Sequence, residues 1–167
     1  MAHEATATQI INVPLSQAWN NLQDLSLAHN YVPGIVRTEI VSEQAKGLGA
    51  SRYVYRNEKS YIQETVDEWN EGHGFRIYLH KGDKPAPPFK QAWFIYQLEE
   101  ATADTTRFTA TMRYELGGGF IGRWLGGALE GFVTKTIADV TIAMKLYYET
   151  GQPTTPAALK AYKATAS

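Results

Sequence analysis

A single carboxylate flanked by apolar residues is the clearest candidate for chemistry in this sequence. Glu64 lies between Ile62 and Val66 on a predicted strand over Tyr61–Trp69, and alternate residues of a strand share one face. If that face is the inner one, Glu64 must find a partner or take up a proton, because an isolated buried charge is costly. The alternative is that Glu64 lies near a frayed strand end and is solvated.

Two tyrosines and a histidine on the following predicted strands could act together with Glu64. Tyr78 and His80 lie on the strand Phe75–His80, and Tyr96 lies on the strand Gln91–Leu98. If the protein is an enzyme, these side chains and Glu64 are the candidates for general acid–base roles, with Glu64 and His80 foremost. A lone histidine at the rim of a fold is more often an ordinary surface residue.

Several classes of reactive site are excluded by the residue types present. The chain has no cysteine, which excludes disulfides, thiolate nucleophiles and iron–sulfur clusters. Its four histidines are scattered and lack the spacing of a helical metal site, so we predict no metal and no cofactor. The run Gly117–Gly119 is not followed by the Gly-Lys-Ser/Thr of a phosphate-binding loop, and no Gly-x-Ser-x-Gly elbow occurs.

Length and charge predict one soluble domain without a nucleic-acid partner. The 167 residues carry a net charge of −1 with no long run of either sign. The beginning of the chain lacks the pattern of a signal peptide, and no apolar stretch is long enough for membrane insertion. We therefore expect a cytoplasmic protein with one ligand-binding domain over residues 1–151 and a weakly structured tail over residues 152–167.

The elements that must position these residues are strands followed by one long helix. Hydrophobic alternation and turn residues predict a strand, two short helices, six further strands and an amphipathic helix over Phe120–Glu149. Gly126, Gly127 and Gly131 either allow close approach of a strand or ligand or indicate a ragged onset, with the regular helix beginning near Ala128, and we favour the ragged onset. A lone long helix after a series of antiparallel strands must bury its apolar stripe against that sheet.

The order of these elements carries a family resemblance over roughly Thr6 to Glu149. The chain resembles the START and pollen-allergen-like helix-grip superfamily (SRPBCC), in particular its polyketide cyclase/dehydrase and lipid-transport branch. The local features that fit are Ala18-Trp19 followed by Asp24, Tyr31-Val32-Pro33-Gly34, Gly47-Leu48-Gly49-Ala50-Ser51-Arg52, Glu64-Thr65-Val66-Asp67-Glu68-Trp69 and Tyr114-Glu115-Leu116-Gly117-Gly118-Gly119.

The resemblance implies an α+β fold in which a seven-stranded antiparallel sheet wraps around the final helix and leaves a cavity between them. Loops at one end would form its mouth: Asn30–Ile35, Asn57–Ser60, Gly117–Phe120 and Lys81–Lys90. The last of these is rich in proline and could be a lid or an ordinary surface loop.

The orientation of the strand Phe75–His80 stays open. Alternation favours its apolar set, Phe75, Ile77 and Leu79, as the inner face, whereas the family pattern counted from Glu64 turns Arg76, Tyr78 and His80 inward. A β-bulge could reconcile the two. The residues expected to line the cavity are Glu64, Tyr78, His80, Phe94, Tyr96, Met112, Tyr114, Leu129, Val133 and Ile137.

The resemblance favours binding or transport of a small hydrophobic or amphipathic molecule, such as a lipid or a polyketide-like metabolite. The first alternative is an aromatase/cyclase or dehydratase acting on a polyketide-like substrate. The second is an interaction or stress-associated module that has a solid core and no ligand. Trp93 and Ile95, on the outer face of their strand, could support a homodimer.

Overall fold

A computed structural model describes residues 2–117 and 120–166 of the protein, and the side chains of these residues except 120–126. Within these residues, eight strands and four α-helices follow one another along the chain. The strands are β1 (Ala2–Ile11), β2 (Arg37–Ile40), β3 (Ser51–Tyr55), β4 (Tyr61–Asn70), β5 (Gly74–Lys81), β6 (Lys84–Pro85), β7 (Phe89–Thr102) and β8 (Thr105–Leu116). The helices are α1 (Leu15–Leu22), α2 (Ala28–Tyr31), α3 (Phe120–Thr150) and α4 (Pro156–Thr165), with a short 3-10 helix at Leu25–Leu27.

The strands form one antiparallel sheet in the order β1-β8-β7-β5-β4-β3-β2. The two-residue strand β6 lies off this path and pairs with β5. This arrangement, with a long helix across the sheet, confirms the predicted α+β helix-grip fold.

Alternation decides which side of each strand is buried. On β8, Phe108, Ala110, Met112 and Tyr114 are all buried, whereas Arg107 and Arg113 are exposed. The same period places Tyr96 and Leu98 of β7 beside them in the core. The inner face of the sheet is therefore a continuous apolar surface on which α3 packs.

Helix α3 runs without interruption from Phe120, so the ragged onset expected near Ala128 is wrong. Its buried stripe repeats every three or four residues, as an amphipathic helix requires. Phe132 is 61% exposed and points to solvent. No helix in the described part of the chain combines the length and apolar character needed to cross a bilayer. The residues of the stripe are Val133, Ile137, Val140, Met144 and Tyr148.

The short helices between β1 and β2 close one side of the core. Trp19 and Leu22 of α1 are buried, and Tyr31 at the end of α2 is 2% exposed. The ring of Tyr31 contacts Tyr147 and Tyr148, whose ring centroids lie 5.9 and 6.1 Å away. These contacts bring the end of α2 against the C-terminal half of α3.

The tail forms a helix over Pro156–Thr165, which corrects the expectation of a weakly structured segment. Thr155 caps α4 by accepting a hydrogen bond from the Ala158 N–H at 3.1 Å, and Pro156 occupies the first turn. The helix is joined to α3 by an ion pair of 2.6 Å between Lys163 Nζ and Asp139 Oδ1. The sequence signal was present as a capping threonine followed by proline, but the helix buries no side chain and so shows little periodicity.

Candidate functional site

Of the ten residues expected to line a cavity, five lie on the side of the sheet that faces α3 and three lie on α3 itself. Glu64 is paired with Leu79 across β4 and β5, and Leu79 is buried in the core. Phe94 and Leu129 are partly exposed and pack against the same core. The other five are buried, namely Tyr96, Met112, Tyr114, Val133 and Ile137.

Tyr78 and His80 lie on the opposite, outer face, so the expectation that they line the inner wall is wrong. The inner residues of β5 are Phe75, Ile77 and Leu79, with exposed fractions of 4%, 1% and 8%. On the outer face, His80 Nδ1 lies 2.7 Å from the Gly82 carbonyl oxygen, and its Nε2 lies 2.8 Å from Thr65 Oγ1. A carbonyl oxygen can only accept a hydrogen bond. His80 Nδ1 therefore carries the hydrogen and donates the hydrogen bond to the Gly82 carbonyl oxygen.

A β-bulge explains how Glu64 and the apolar residues of β5 share one face. The pairing of β4 with β5 shifts between Val66 and Glu68, so Asp67 is the extra residue. Before the bulge, Glu64 stands opposite Leu79 on the inner face. After it, Trp69 rather than Glu68 continues that face, because Trp69 pairs with Phe75. Alternation within β5 therefore favoured the correct face, whereas counting from Glu64 gave the opposite one because the bulge shifts the pairing by one residue.

Glu64 forms a buried ion pair with a residue that the sequence analysis did not select. Arg52 on β3 stands opposite Glu64 on β4, and Arg52 Nε donates to Glu64 Oε2 at 2.6 Å. The side chain of Arg52 is 1% exposed and that of Glu64 is 11% exposed. The signal that could have found Arg52 is its alternation with Val54 on a strand paired with β4.

The guanidinium of Arg52 also joins β3 to the segment between α1 and α2. Its Nη1 donates to the Leu25 carbonyl oxygen at 2.8 Å. Burial lowers the pKa of Arg52, but Glu64, Tyr31 and Tyr96 together outweigh that effect and the net pKa is raised. Arg52 is thus a permanent, fixed cation whose charge is matched by one carboxylate.

Three buried tyrosines lie close enough to Arg52 to be influenced by its charge. Tyr31 comes from α2, Tyr96 from β7 and Tyr148 from α3, and none is more than 3% exposed. Burial raises the pKa of all three phenols, and the nearby Arg52 opposes the increase in each case. All three therefore remain protonated at neutral pH. We call Arg52, Glu64, Tyr31, Tyr96 and Tyr148 the inner polar cluster.

The hydroxyl group of Tyr148 is buried without a hydrogen-bond partner among the residues that the structure describes. Buried polar groups in proteins are nearly always hydrogen-bonded, because leaving one unpaired costs about 1–3 kcal/mol. The neighbouring Tyr147 differs, since Asn30 Nδ2 donates to its hydroxyl at 3.3 Å. The cluster thus contains one unused hydrogen-bonding group that points into the protein.

Comparison with known proteins places the chain in a family. Residues 2–149 match the family model described as polyketide cyclase / dehydrase and lipid transport. The chain belongs to this family. No curated protein matches it significantly.

Solved structures of low sequence identity show the same fold. The Zhui aromatase/cyclase from Streptomyces sp. R1128 aligns with a TM-score of 0.72 at 15% identity, over 89% of this chain and 94% of that one. A protein from Thermus thermophilus gives 0.69 at 15% identity, over 87% and 97%. Ara h 8.0201 gives 0.63 at 16% identity, over 89% and 98%.

The inner wall of this polyketide cyclase/dehydrase family member is packed tightly at one end and less tightly at the other. Leu98 and Phe108 are at most 1% exposed, beside the turn that joins β7 to β8. Towards the other ends of the strands, inward-facing apolar residues keep part of their surface exposed: Ile62, Phe94, Leu116 and, on α3, Leu129. The predicted mouth loop Gly117–Phe120 lies partly outside the described residues.

The proline-rich segment over 81–90 forms part of this wall. It folds back as β6, and Ala86 is completely buried, with its N–H donating to the Leu79 carbonyl oxygen at 3.3 Å. The ring of Phe89 packs against Tyr114, with centroids 5.3 Å apart. These contacts explain why the segment carries apolar residues, and they make it a packed border of the sheet.

The outer face of the sheet holds a separate cleft of about 500 Å³. Tyr78, His80 and Trp93 line it together with Asp67, whose Oδ2 accepts a hydrogen bond from Trp93 Nε1 at 3.1 Å. Trp93 therefore already has a polar partner within the chain. The homodimer through Trp93 and Ile95 stays a prediction.

Proposed function

We propose that the protein binds or carries a small hydrophobic or amphipathic molecule between α3 and the sheet, with the polar end of the molecule at the inner polar cluster. The observation that carries the proposal is the position of this cluster. An ion pair and three phenols stand on an otherwise apolar inner wall, and one phenol has no partner among the described residues. A lipid or a polyketide-like metabolite has the matching combination of an apolar body and a polar end.

The energetics of the ion pair support a role beyond stability. Removing two charges from water costs about as much as their attraction returns, and apolar residues of the same volume would serve a core at least as well. Buried ionisable groups with a perturbed pKa, such as Arg52, are typical of binding and catalytic sites. The Arg52–Glu64 pair is therefore better explained as part of a site than as packing.

The partly exposed apolar residues supply the rest of the site. Phe94 on β7 and Leu129 on α3 pack against the same core, and each keeps part of its surface uncovered. Burying such surface contributes about 25 cal/mol for each Å² removed from water. An apolar ligand body lying along these residues would gain most of its binding free energy there.

The groups available favour binding over catalysis. The Glu64 carboxylate is held by Arg52, and Tyr31, Tyr96 and Tyr148 have raised pKa values, so none is a free base near neutral pH. An aromatase/cyclase or dehydratase activity would need Glu64 to leave its partner during the reaction. We therefore rank it second.

A fluorescence titration of the full chain with N-phenyl-1-naphthylamine, an uncharged apolar probe, tests the proposal. We expect saturable binding of one probe molecule. Leu129→Trp should weaken it about tenfold by filling the inner wall, whereas Phe132→Trp on the exposed face of α3 should leave it unchanged. Absence of saturable binding, or equal behaviour of the two folded variants, would favour the module without a ligand.

A further inference from the structure

We infer that the inner polar cluster selects a ligand with an uncharged hydrogen-bond acceptor, such as a ketone or ester oxygen, over one with a carboxylate, and that Tyr148 donates the selecting hydrogen bond. This inference rests on the proposed function, because it assigns the chemistry of the polar end of the ligand that the same site would hold.

The Tyr148 hydroxyl supplies the hydrogen-bond donor. The Tyr148 hydroxyl is buried and has no partner among the described residues, although Tyr31, Tyr96 and Arg52 are all close enough to influence it. A phenol that keeps its proton can donate one hydrogen bond to an incoming oxygen. An apolar ligand would leave this hydroxyl as it is, so the unpaired group specifically favours a ligand that carries an acceptor.

The charges of Arg52 and Glu64 disfavour a ligand that carries a carboxylate. A positive guanidinium on an inner wall would by itself attract carboxylates. Here Glu64 already neutralises Arg52 at 2.6 Å, and the Leu25 carbonyl occupies another of its N–H groups. A ligand carboxylate would stand beside Glu64 without a cation of its own, which is strongly unfavourable in a buried site. An uncharged oxygen avoids this penalty and still accepts from Tyr148.

The positions of the polar and apolar residues determine the orientation of the ligand. Tyr148 lies in the C-terminal half of α3 and contacts Tyr31, whereas Leu129 lies in the N-terminal half of the same helix. Leu129 is about 28 Å from Tyr148 along α3, at 1.5 Å for each residue, and the stripe between them is fully packed. Phe94, which keeps part of its surface uncovered, packs against Tyr96 of the inner polar cluster with ring centroids 4.7 Å apart. The ligand would therefore place its polar end towards Tyr148 and its apolar part beside Phe94.

Two ligands of equal chain length separate these alternatives. The displacement of N-phenyl-1-naphthylamine by 2-undecanone and by undecanoate is measured at about pH 8, where the fatty acid is ionised. We expect the ketone to displace the probe at a concentration about tenfold lower. Equal or stronger displacement by undecanoate would overturn the inference and leave the proposed function intact. Failure of the probe itself to bind would overturn both.

Variants of two adjacent tyrosines test the donor. Tyr148→Phe should weaken binding of 2-undecanone about tenfold and leave binding of N-phenyl-1-naphthylamine unchanged, because the apolar probe does not accept a hydrogen bond from the hydroxyl. The unliganded variant should melt no lower than the natural protein, since the lost hydroxyl had no partner. Tyr147→Phe, which removes a hydroxyl bonded to Asn30, is the matched control and should not alter ligand preference. Unchanged ketone affinity in Tyr148→Phe would refute the assignment.

Glu64→Gln tests the charge argument from the other side. The substitution leaves Arg52 without its carboxylate, so undecanoate should now bind at least as well as 2-undecanone and should raise the melting temperature of the variant. A folded variant that keeps the original preference for the ketone would contradict the role given to the ion pair. If the variant does not fold, the two tyrosine variants decide the inference alone.

Discussion

At the scale of single residues, the Arg52–Glu64 pair should be costly to break and cheap to replace as a unit. Glu64→Gln leaves a guanidinium that is 1% exposed without its counter-charge, so we expect a loss of about 3 kcal/mol in the free energy of unfolding. The double change Arg52→Met with Glu64→Leu should recover most of that loss, because neither charge remains. Urea unfolding of the two proteins measures both values.

The exposed pair between Arg107 and Glu99 is the control for this experiment. These side chains are 51% and 66% exposed and lie 3.4 Å apart. Glu99→Gln should change the free energy of unfolding by less than about 0.5 kcal/mol, because water screens such pairs. A similar loss for Glu99→Gln and Glu64→Gln would contradict the importance of burial.

Replacing either of two glycines by alanine should change the stability of the protein, in opposite directions for the two positions. A Cβ at Gly131, in the interior of α3, meets no atom within 4 Å, so Gly131→Ala should stabilise the protein by about 0.5–1 kcal/mol. A Cβ at Gly74 would lie 1.9 Å from the carbonyl oxygen of Tyr96, which forces β5 away from β7. Gly74→Ala should therefore lower the melting temperature. Thermal unfolding followed by circular dichroism distinguishes the two, and a destabilising Gly131→Ala would argue against an open position there.

At the scale of elements, Glu71 connects α1 to β4. Trp19 Nε1 on α1 donates to Oε1 of its carboxylate at 3.2 Å, and Trp69 Nε1 on β4 donates to Oε2 at 2.7 Å. The hydrogen bonds from Trp69 and Trp19 lower the pKa of Glu71 below its usual value. A carboxyl group with a lowered pKa in the folded state stabilises the fold only while it is ionised.

The contribution of Glu71 should therefore depend on pH with a definite sign. It is fully present above the unfolded pKa of about 4.5 and is lost as the pH falls through the lower pKa of the folded state. We expect the difference in unfolding free energy between the natural protein and Glu71→Gln to be constant near neutral pH and to shrink in acid. Urea unfolding monitored by tryptophan fluorescence from about pH 3 to 7 measures it. A difference independent of pH would show that the carboxylate charge is irrelevant.

His80 and Leu79 are neighbours on β5 but lie on opposite faces of the sheet, and the sequence alone left the choice of face open. His80 is on the outer face, so His80→Ala should change the affinity for N-phenyl-1-naphthylamine by less than about twofold. Leu79, on the inner face opposite Glu64, is 8% exposed, and Leu79→Ala should cost about 3 kcal/mol of stability. A large loss of probe affinity in His80→Ala would contradict the register of β5.

At the scale of the whole molecule, the inner polar cluster should control stability in alkali. Tyr31, Tyr96 and Tyr148 join α2, the sheet and α3, and burial raises the pKa of each. Because the unfolded phenols ionise near pH 10 and the folded ones above it, unfolding is favoured as the pH rises beyond about 10. The stabilisation is complete below that pH and is lost progressively above it.

Absorbance of phenolate in the near ultraviolet tests this expectation. We expect exposed tyrosines to ionise first, without loss of secondary structure, and the three buried ones to ionise together with cooperative unfolding seen by circular dichroism. Replacing Tyr148 by Phe should reduce the absorbance change of the cooperative phase. Smooth ionisation of all tyrosines in a folded protein would show that the cluster is open to solvent.

Local patterns in the chain were enough to predict the strands, the long helix and the shared face of Ile62, Glu64 and Val66, whereas the wrapped sheet was implied by the family resemblance and the inner position of Glu64 stayed open. The alternation of Ile62, Glu64 and Val66, and the helical spacing of the stripe on α3, depend on neighbours a few residues apart, which local backbone geometry fixes. The pairing of Arg52 with Glu64, and the meeting of Tyr31 and Tyr148 beside it, could be known only from the folded chain. Strand pairing and helix docking bring these groups together from distant parts of the sequence. The alternation of β5 favoured the observed inner face, but only the pairing decided against the count from Glu64, because the sequence does not mark Asp67 as the extra residue of a bulge.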